Sequence, residues 1–128
     1  MAFLNDVHAL ATATNMGASF TTTKTYTGLD GNPTPGFCLD RCIGYAIQAV
    51  WTGASAPVGT LRLQGSNDNV TFTNLTGSDQ AVSAAGDFIW KDSTPYYKFV
   101  RLAWVRTSGG GSDTLSATIR VVTATGGA

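Results

Sequence analysis

Along residues 45–51 the side chains alternate, placing Tyr45, Ile47, Ala49 and Trp51 on one face and Ala46, Gln48 and Val50 on the other. A period of two belongs to an extended strand, whose successive side chains point to opposite sides of a sheet. The alternation returns in residues 58–64, with Leu61 and Leu63 opposite Thr60, Arg62 and Gln64, and in residues 97–107, with Val100, Leu102 and Trp104 opposite Phe99, Arg101 and Ala103. A last strand is expected over residues 114–122, with Leu115, Ala117, Ile119 and Val121 on one face. Shorter strands are read at 70–73 and 87–90, residues 37–39 form a short apolar segment leading into 45–51, and the Thr-rich residues 19–27 are read as an edge strand or exposed face.

The intervals between these runs carry turn chemistry. Residues 28–36 hold two prolines and three glycines, which deny a sheet its ladder. The run Ser66-Asn67-Asp68-Asn69 supplies short polar side chains that bond their own backbone and tolerate left-handed dihedrals. About eight strands at intervals of roughly 8 to 12 residues predict an all-β fold, an antiparallel two-sheet sandwich or jelly roll. Residues 1–17 are small and mixed, with Phe3, Leu4, Val7 and Leu10 spaced for a short amphipathic turn or a docking arm. The expected organisation is an N-terminal arm over 1–17 and one sandwich domain over 18–128.

Composition sharpens this picture. The 128 residues fit one domain, and only 12% are charged against 43% apolar, about half the usual globular charge. So little charge suits a surface partly covered by partners. There are eight Asp, no Glu and nineteen Thr, a balance that trades a helix former for a β-branched residue. Net charge is zero with the cations dispersed, so no basic field exists for nucleic acid or an anionic membrane, and neither partner is expected. The N-terminal residues lack a basic segment followed by an apolar core, so synthesis in the cytoplasm is expected.

Candidate chemistry is thin. His8 is the only histidine and falls in the expected arm beside Asp6, where nothing anchors it for acid–base work. A hydrolytic carboxylate pair would have to come from Asp68 with Asp87 or Asp92, each beside a turn where Asp is expected for backbone capping. Cys38 and Cys42 with one distant histidine fall short of a zinc set; they read as two reduced thiols or as a disulfide formed late, outside the cytoplasm. The 66–69 run offers oxygen ligands to calcium but no bidentate Glu, and reads first as a turn. Trp51, Trp90 and Trp104 lie in alternating strands and are expected in the core, whereas Tyr96 and Tyr97 after Pro95 are the expected exposed aromatic pair, suited to stacking on sugar. No catalytic set, cofactor or metal is expected.

The segment Leu63-Gln-Gly-Ser-Asn-Asp-Asn-Val-Thr-Phe72 followed by Tyr97-Lys-Phe-Val-Arg-Leu102 resembles the pattern of small β-sandwich proteins of tailed-bacteriophage virions. It is similar also to discoidin-like domains, in which a Gly-Ser-x-Asp turn precedes an aromatic residue. Phe72 stands where the discoidin-like pattern often has Trp, and the two cysteines do not bracket the domain, which favours the phage group. That resemblance implies a capsid decoration, or cement, protein: a non-enzymatic homotrimer bound to the major capsid protein on the virion surface. A tail or fibre component or a glycan-binding module is the alternative it implies. Phe3, Leu4 and Val7 of the arm, Asn32 and Pro33 of the 28–36 loop, and the Tyr96–Tyr97 pair are the partner-contact candidates.

Overall fold

The computed structural model describes residues 3–23, 36–39 and 42–124, with the side chains of 3–6 and 123–124 left aside. Ten strands follow in chain order: β1 (Phe3–Asn15), β2 (Phe20–Thr21), β3 (Phe37–Cys38), β4 (Cys42–Trp51), β5 (Val58–Ser66), β6 (Thr73–Asn74), β7 (Gln80–Val82), β8 (Gly86–Asp92), β9 (Phe99–Ser108) and β10 (Thr114–Ala124). Every pairing is antiparallel. One sheet runs β1-β10-β4-β8; the other has β9 and β5 at its centre. β2 and β3 share the outer side of β9, and β6 and β7 share the outer side of β5, so each flank of this second sheet is made of two short pieces. The all-β antiparallel sandwich expected from the alternation is what the chain forms.

The core follows from the two inward rows. Tyr45, Ile47, Ala49 and Trp51 of β4 meet Leu115, Ala117, Ile119 and Val121 of β10 on one side, and Leu61, Leu63, Val100, Leu102 and Trp104 close the other. All three tryptophans are buried, as their alternating neighbours imply. Each buried indole N–H also finds a carbonyl: Trp51 Nε1 donates to Ala84 O at 2.7 Å, Trp90 Nε1 to Ser78 O at 2.7 Å and Trp104 Nε1 to Met16 O at 3.1 Å.

The expected arm is corrected in part. Phe3–Asn15 is a full edge strand whose register with β10 runs from Phe3↔Ala124 to Asn15↔Thr114. Its alternation is concealed by small residues and by register shifts between Ala9 and Ala11 and between Ala11 and Thr14, with Ala13 in the left-handed region at φ 45°. The sequence expectation of a strand at 70–73 also moves: β6 begins at Thr73, because the Asp68 carboxylate holds the Val70 and Thr71 N–H groups in a turn. The 28–36 loop, with Asn32 and Pro33, lies outside the described residues apart from Gly36.

One end of the sandwich is locked by a buried carboxylate. Asp113, ahead of β10, accepts from Thr52 Oγ1 (2.8 Å), Ala54 N (2.7 Å), Ser55 N (3.0 Å) and Ser55 Oγ (2.7 Å), all in the β4–β5 connection. Gly109 adopts φ +67° there, and a Cβ at this position would stand 2.0 Å from Ala56 O, so only glycine lets the two connections approach.

Candidate functional site

The opposite end carries a second polar cluster, a phenol–phenol–carboxylate chain. Tyr45 rises from the inward row of β4, Asp92 closes β8, and Tyr97 precedes β9 in the other sheet. Tyr97 Oη donates to Asp92 Oδ2 at 2.7 Å, and the two phenol oxygens lie 2.5 Å apart. Since the Tyr97 proton is committed to the carboxylate, Tyr45 is the donor to Tyr97. Thr94 N occupies Asp92 Oδ1 at 2.9 Å. Burial, opposed in part by the bond to Tyr97, pushes the Tyr45 phenol up to about 12. Burial also raises Tyr97, reinforced by its bonds to Tyr45 and Asp92. Both hydroxyls therefore keep their protons at neutral pH, and the chain ties the two sheets together instead of supplying a nucleophile.

Two concavities flank this chain. One of about 540 Å³ lies on the outer face of the four-stranded sheet, lined by Gly44, Ala46, Lys91, Ser93, Arg120 and Val122. Register places Ala46 between Lys91 and Arg120, so two long cationic side chains border a floor of small ones. The other, about 290 Å³, lies between β8 and the 75–78 turn, with Phe88, Trp90, Leu75 and Tyr97 in its walls.

Asp87 and Asp92 do not form a hydrolytic pair with each other. They stand at the two ends of β8, five residues apart and hence about 16 Å along the strand, beyond the roughly 5–9.5 Å used in glycoside hydrolysis. Asp68 Oδ1 accepts from Ser66 Oγ, Val70 N and Thr71 N, and these bonds hold its carboxyl below the usual carboxylate range. N–H donors aimed at that oxygen make the 66–69 run a capped turn. His8 packs its ring against Phe37 at 5.1 Å. Among the described residues, no three of His, Cys, Asp or Glu stand together as metal ligands.

Cys38 and Cys42 are free thiols. Cys42 Sγ donates to Gly44 O at 2.9 Å, and burial, the largest influence, raises its pKa. Iodoacetamide at pH 8 is accordingly expected to label Cys42 more slowly in the native protein than in the urea-unfolded chain, as counted by peptide mass spectrometry. Equal rates would show that burial does not protect this thiol.

The contact candidates read from the sequence are dispersed. Phe3 and Leu4 pair through their backbone with Ala124 and Thr123 at the edge of the first sheet. Val7 points outward from the same strand, opposite Arg120, and is 62% exposed. Tyr96 is 93% exposed, whereas its neighbour Tyr97 is half-buried in the phenol–carboxylate chain. The segments that carry the resemblance do meet: the Phe72 ring lies 3.9 Å from the Arg101 guanidinium, and Arg101 Nε donates to Gln64 Oε1 at 2.8 Å. Asn67 Oδ1 accepts from Lys98 N at 3.2 Å. The quoted pattern is thus an internal clasp between the 65–72 turn and β9, a structural job that any function could share.

The sequence resisted finding the Tyr45–Tyr97–Asp92 chain for a physical reason: Tyr45 reads as core and Asp92 as turn chemistry, and only the pairing of sheet ends joins them. No family model matches the chain, and no curated protein matches it. Solved structures do. The SPBc2 prophage-derived protein YomS superposes with a TM-score of 0.61 at 11% identity over 96% of both chains. The PBSX exported protein XepA gives 0.59 at 12% identity over 94% of this chain but 38% of its own. Tobacco streak virus coat protein gives 0.50 at 8% identity over 99% of this chain and 88% of its own. At such identities the likeness is one of fold: this chain shares its sandwich with a prophage-derived protein along nearly the full length of each.

Proposed function

We propose that this protein is a non-enzymatic structural component of a phage particle, decorating the outside of the capsid by binding the major capsid protein. The observation that carries this reading is the outer face of the four-stranded sheet. Val7, Val50 and Ile89 are 62%, 50% and 54% exposed there, set among Ala46, Gln48 and Thr118, with Asp87, Lys91 and Arg120 as the charged groups of the same face. Such a face lies readily on another protein, and a shell of repeated subunits offers it many identical seats. A protein that binds only the assembled shell stabilises it in proportion to RT ln(1 + [L]/Kd). The full-length likeness to a prophage-derived protein, and the weaker one to a viral coat protein, support this reading.

The copy number of the protein in purified particles, measured by quantitative mass spectrometry against the major shell protein, tests it. A ratio near one, or a simple fraction of it, is the expected result. A few to tens of copies would move the protein to the tail or a fibre, and none would reject the particle reading. Tyr96, 93% exposed beside Pro95, favours glycan binding as the second reading, since a bare ring stacks on a sugar face. A glycan array in which wild type and Tyr96→Ala both stay at background would remove it.

A further inference from the structure

Among the described residues, β8 is bonded on one side only, to β4, and its other side is an open edge of the four-stranded sheet. The remaining edges are blunted. β1 is interrupted by two register shifts, and each flank of the second sheet is divided between two short strands. β8 instead keeps an unbroken register with β4 from Gly86 to Asp92. Phe88 belongs to its inward row, facing the same side as Trp90, and the two rings pack at 4.9 Å. Yet Phe88 is 38% exposed, because no described strand lies beyond it to cover the ring.

We infer that β8 pairs antiparallel with β8 of a second copy, about a twofold axis through Ile89. The segment Gly86-Asp-Phe-Ile-Trp-Lys-Asp92 is complementary to itself read in reverse. With Ile89 opposite its symmetry mate, Asp87 of each copy faces Lys91 of the other on the outer surface, and Phe88 faces Trp90 on the inner one. Opposite charges and aromatic pairs placed directly across a ladder are the contacts that stabilise it. Charged side chains on an edge usually deter pairing. Here the two signs sit at mirror positions, so this one register turns both into attractions. The contact is isologous and closes on two copies, joining two four-stranded sheets into one of eight, and it stands in place of the threefold contact that the resemblance implies. It rests on the edge of β8 and not on capsid decoration, so either idea survives failure of the other.

A seven-residue edge spans about 23 Å, an interface at the small end of the specific range, so association at micromolar concentrations is expected. Sedimentation velocity from roughly 1 µM to 1 mM is the direct test. The wild-type chain is expected to pass from monomer to dimer within that range. Asp87→Lys sets Lys against Lys91 twice over, and Lys91→Asp sets Asp against Asp87 twice over, so each variant alone is expected to dimerise about tenfold more weakly or worse. An equimolar mixture of the two variants restores both attractions and is expected to form the heterodimer, which also shows that each variant is folded. A wild type that stays monomeric, a trimer, a dimer indifferent to Asp87→Lys, or a mixture that fails to associate would each overturn the inference.

Discussion

Trp104→Ala is expected to lower the melting temperature by roughly 10–20 °C, the largest loss from any single truncation in this chain. Trp104 is 1% exposed, on the inward row of β9 opposite Leu61 of β5 and Phe20 of β2. Removing a buried indole costs about 3–5 kcal/mol through lost transfer energy and the cavity left behind. The Met16 carbonyl, which accepts from the indole at 3.1 Å, would lose its partner as well. Set against a total stability of about 5–15 kcal/mol, that is a large share. Trp104→Phe retains much of the volume and is expected to lose less. A fall of only about 3 °C for the alanine variant, read by near-ultraviolet circular dichroism, would show that the core collapses around the vacancy.

The second large effect is a pH-dependent one at Asp113. Four donors from Thr52, Ala54 and Ser55 converge on its carboxylate, and although burial opposes ionisation, these bonds win and hold its pKa below 3.8. A carboxyl whose folded pKa lies below its unfolded value contributes stability that is fully present above the unfolded value, and that stability is lost as pH falls through the folded one. Asp113→Asn is neutral and places an N–H2 group where donors already point. It is therefore expected to unfold at a markedly lower urea concentration than wild type at pH 7. The gap should narrow as the pH falls from the unfolded carboxyl's pKa through the lower folded one, because wild type then also carries a protonated carboxyl. A gap that stays constant through that range would mean that the side chain contributes through shape and not through charge. Asp68, also held low by its turn, remains in both proteins and cancels in the comparison.

Much of the fold was legible because burial and alternation coincide. In β4, β9 and β10 one row is apolar and enters the core, so the period of two reports the strand directly. β1 was misread because its inward and outward residues are alike in size, as in Ala9, Ala11 and Ala13, and its bulges break the period. β7 went unseen because a three-residue piece with one buried side chain, Val82, carries no pattern of its own. For the candidate site, single residues were legible and their meeting was not. Tyr97 reads as the companion of Tyr96, yet the turn that exposes one directs the other onto Asp92. Asp113 was passed over because its partners lie about sixty positions earlier, and spacing of that length is set by topology alone.

The pairing of β1 with β10 has a consequence for the growing chain on the ribosome. β10 lies between β1 and β4, so among the described strands β1 has no neighbour in its sheet until β10 has left the exit tunnel. At about 5–20 residues per second, β1 spends several seconds without a ladder while β5 to β9 can already assemble their own sheet. Its bulges and small side chains, which make it a poor template for neighbouring nascent chains, serve it during that wait. Completion of the four-stranded sheet thus waits for β10, and a chain truncated before β10 loses the place of β1 along with that of β10.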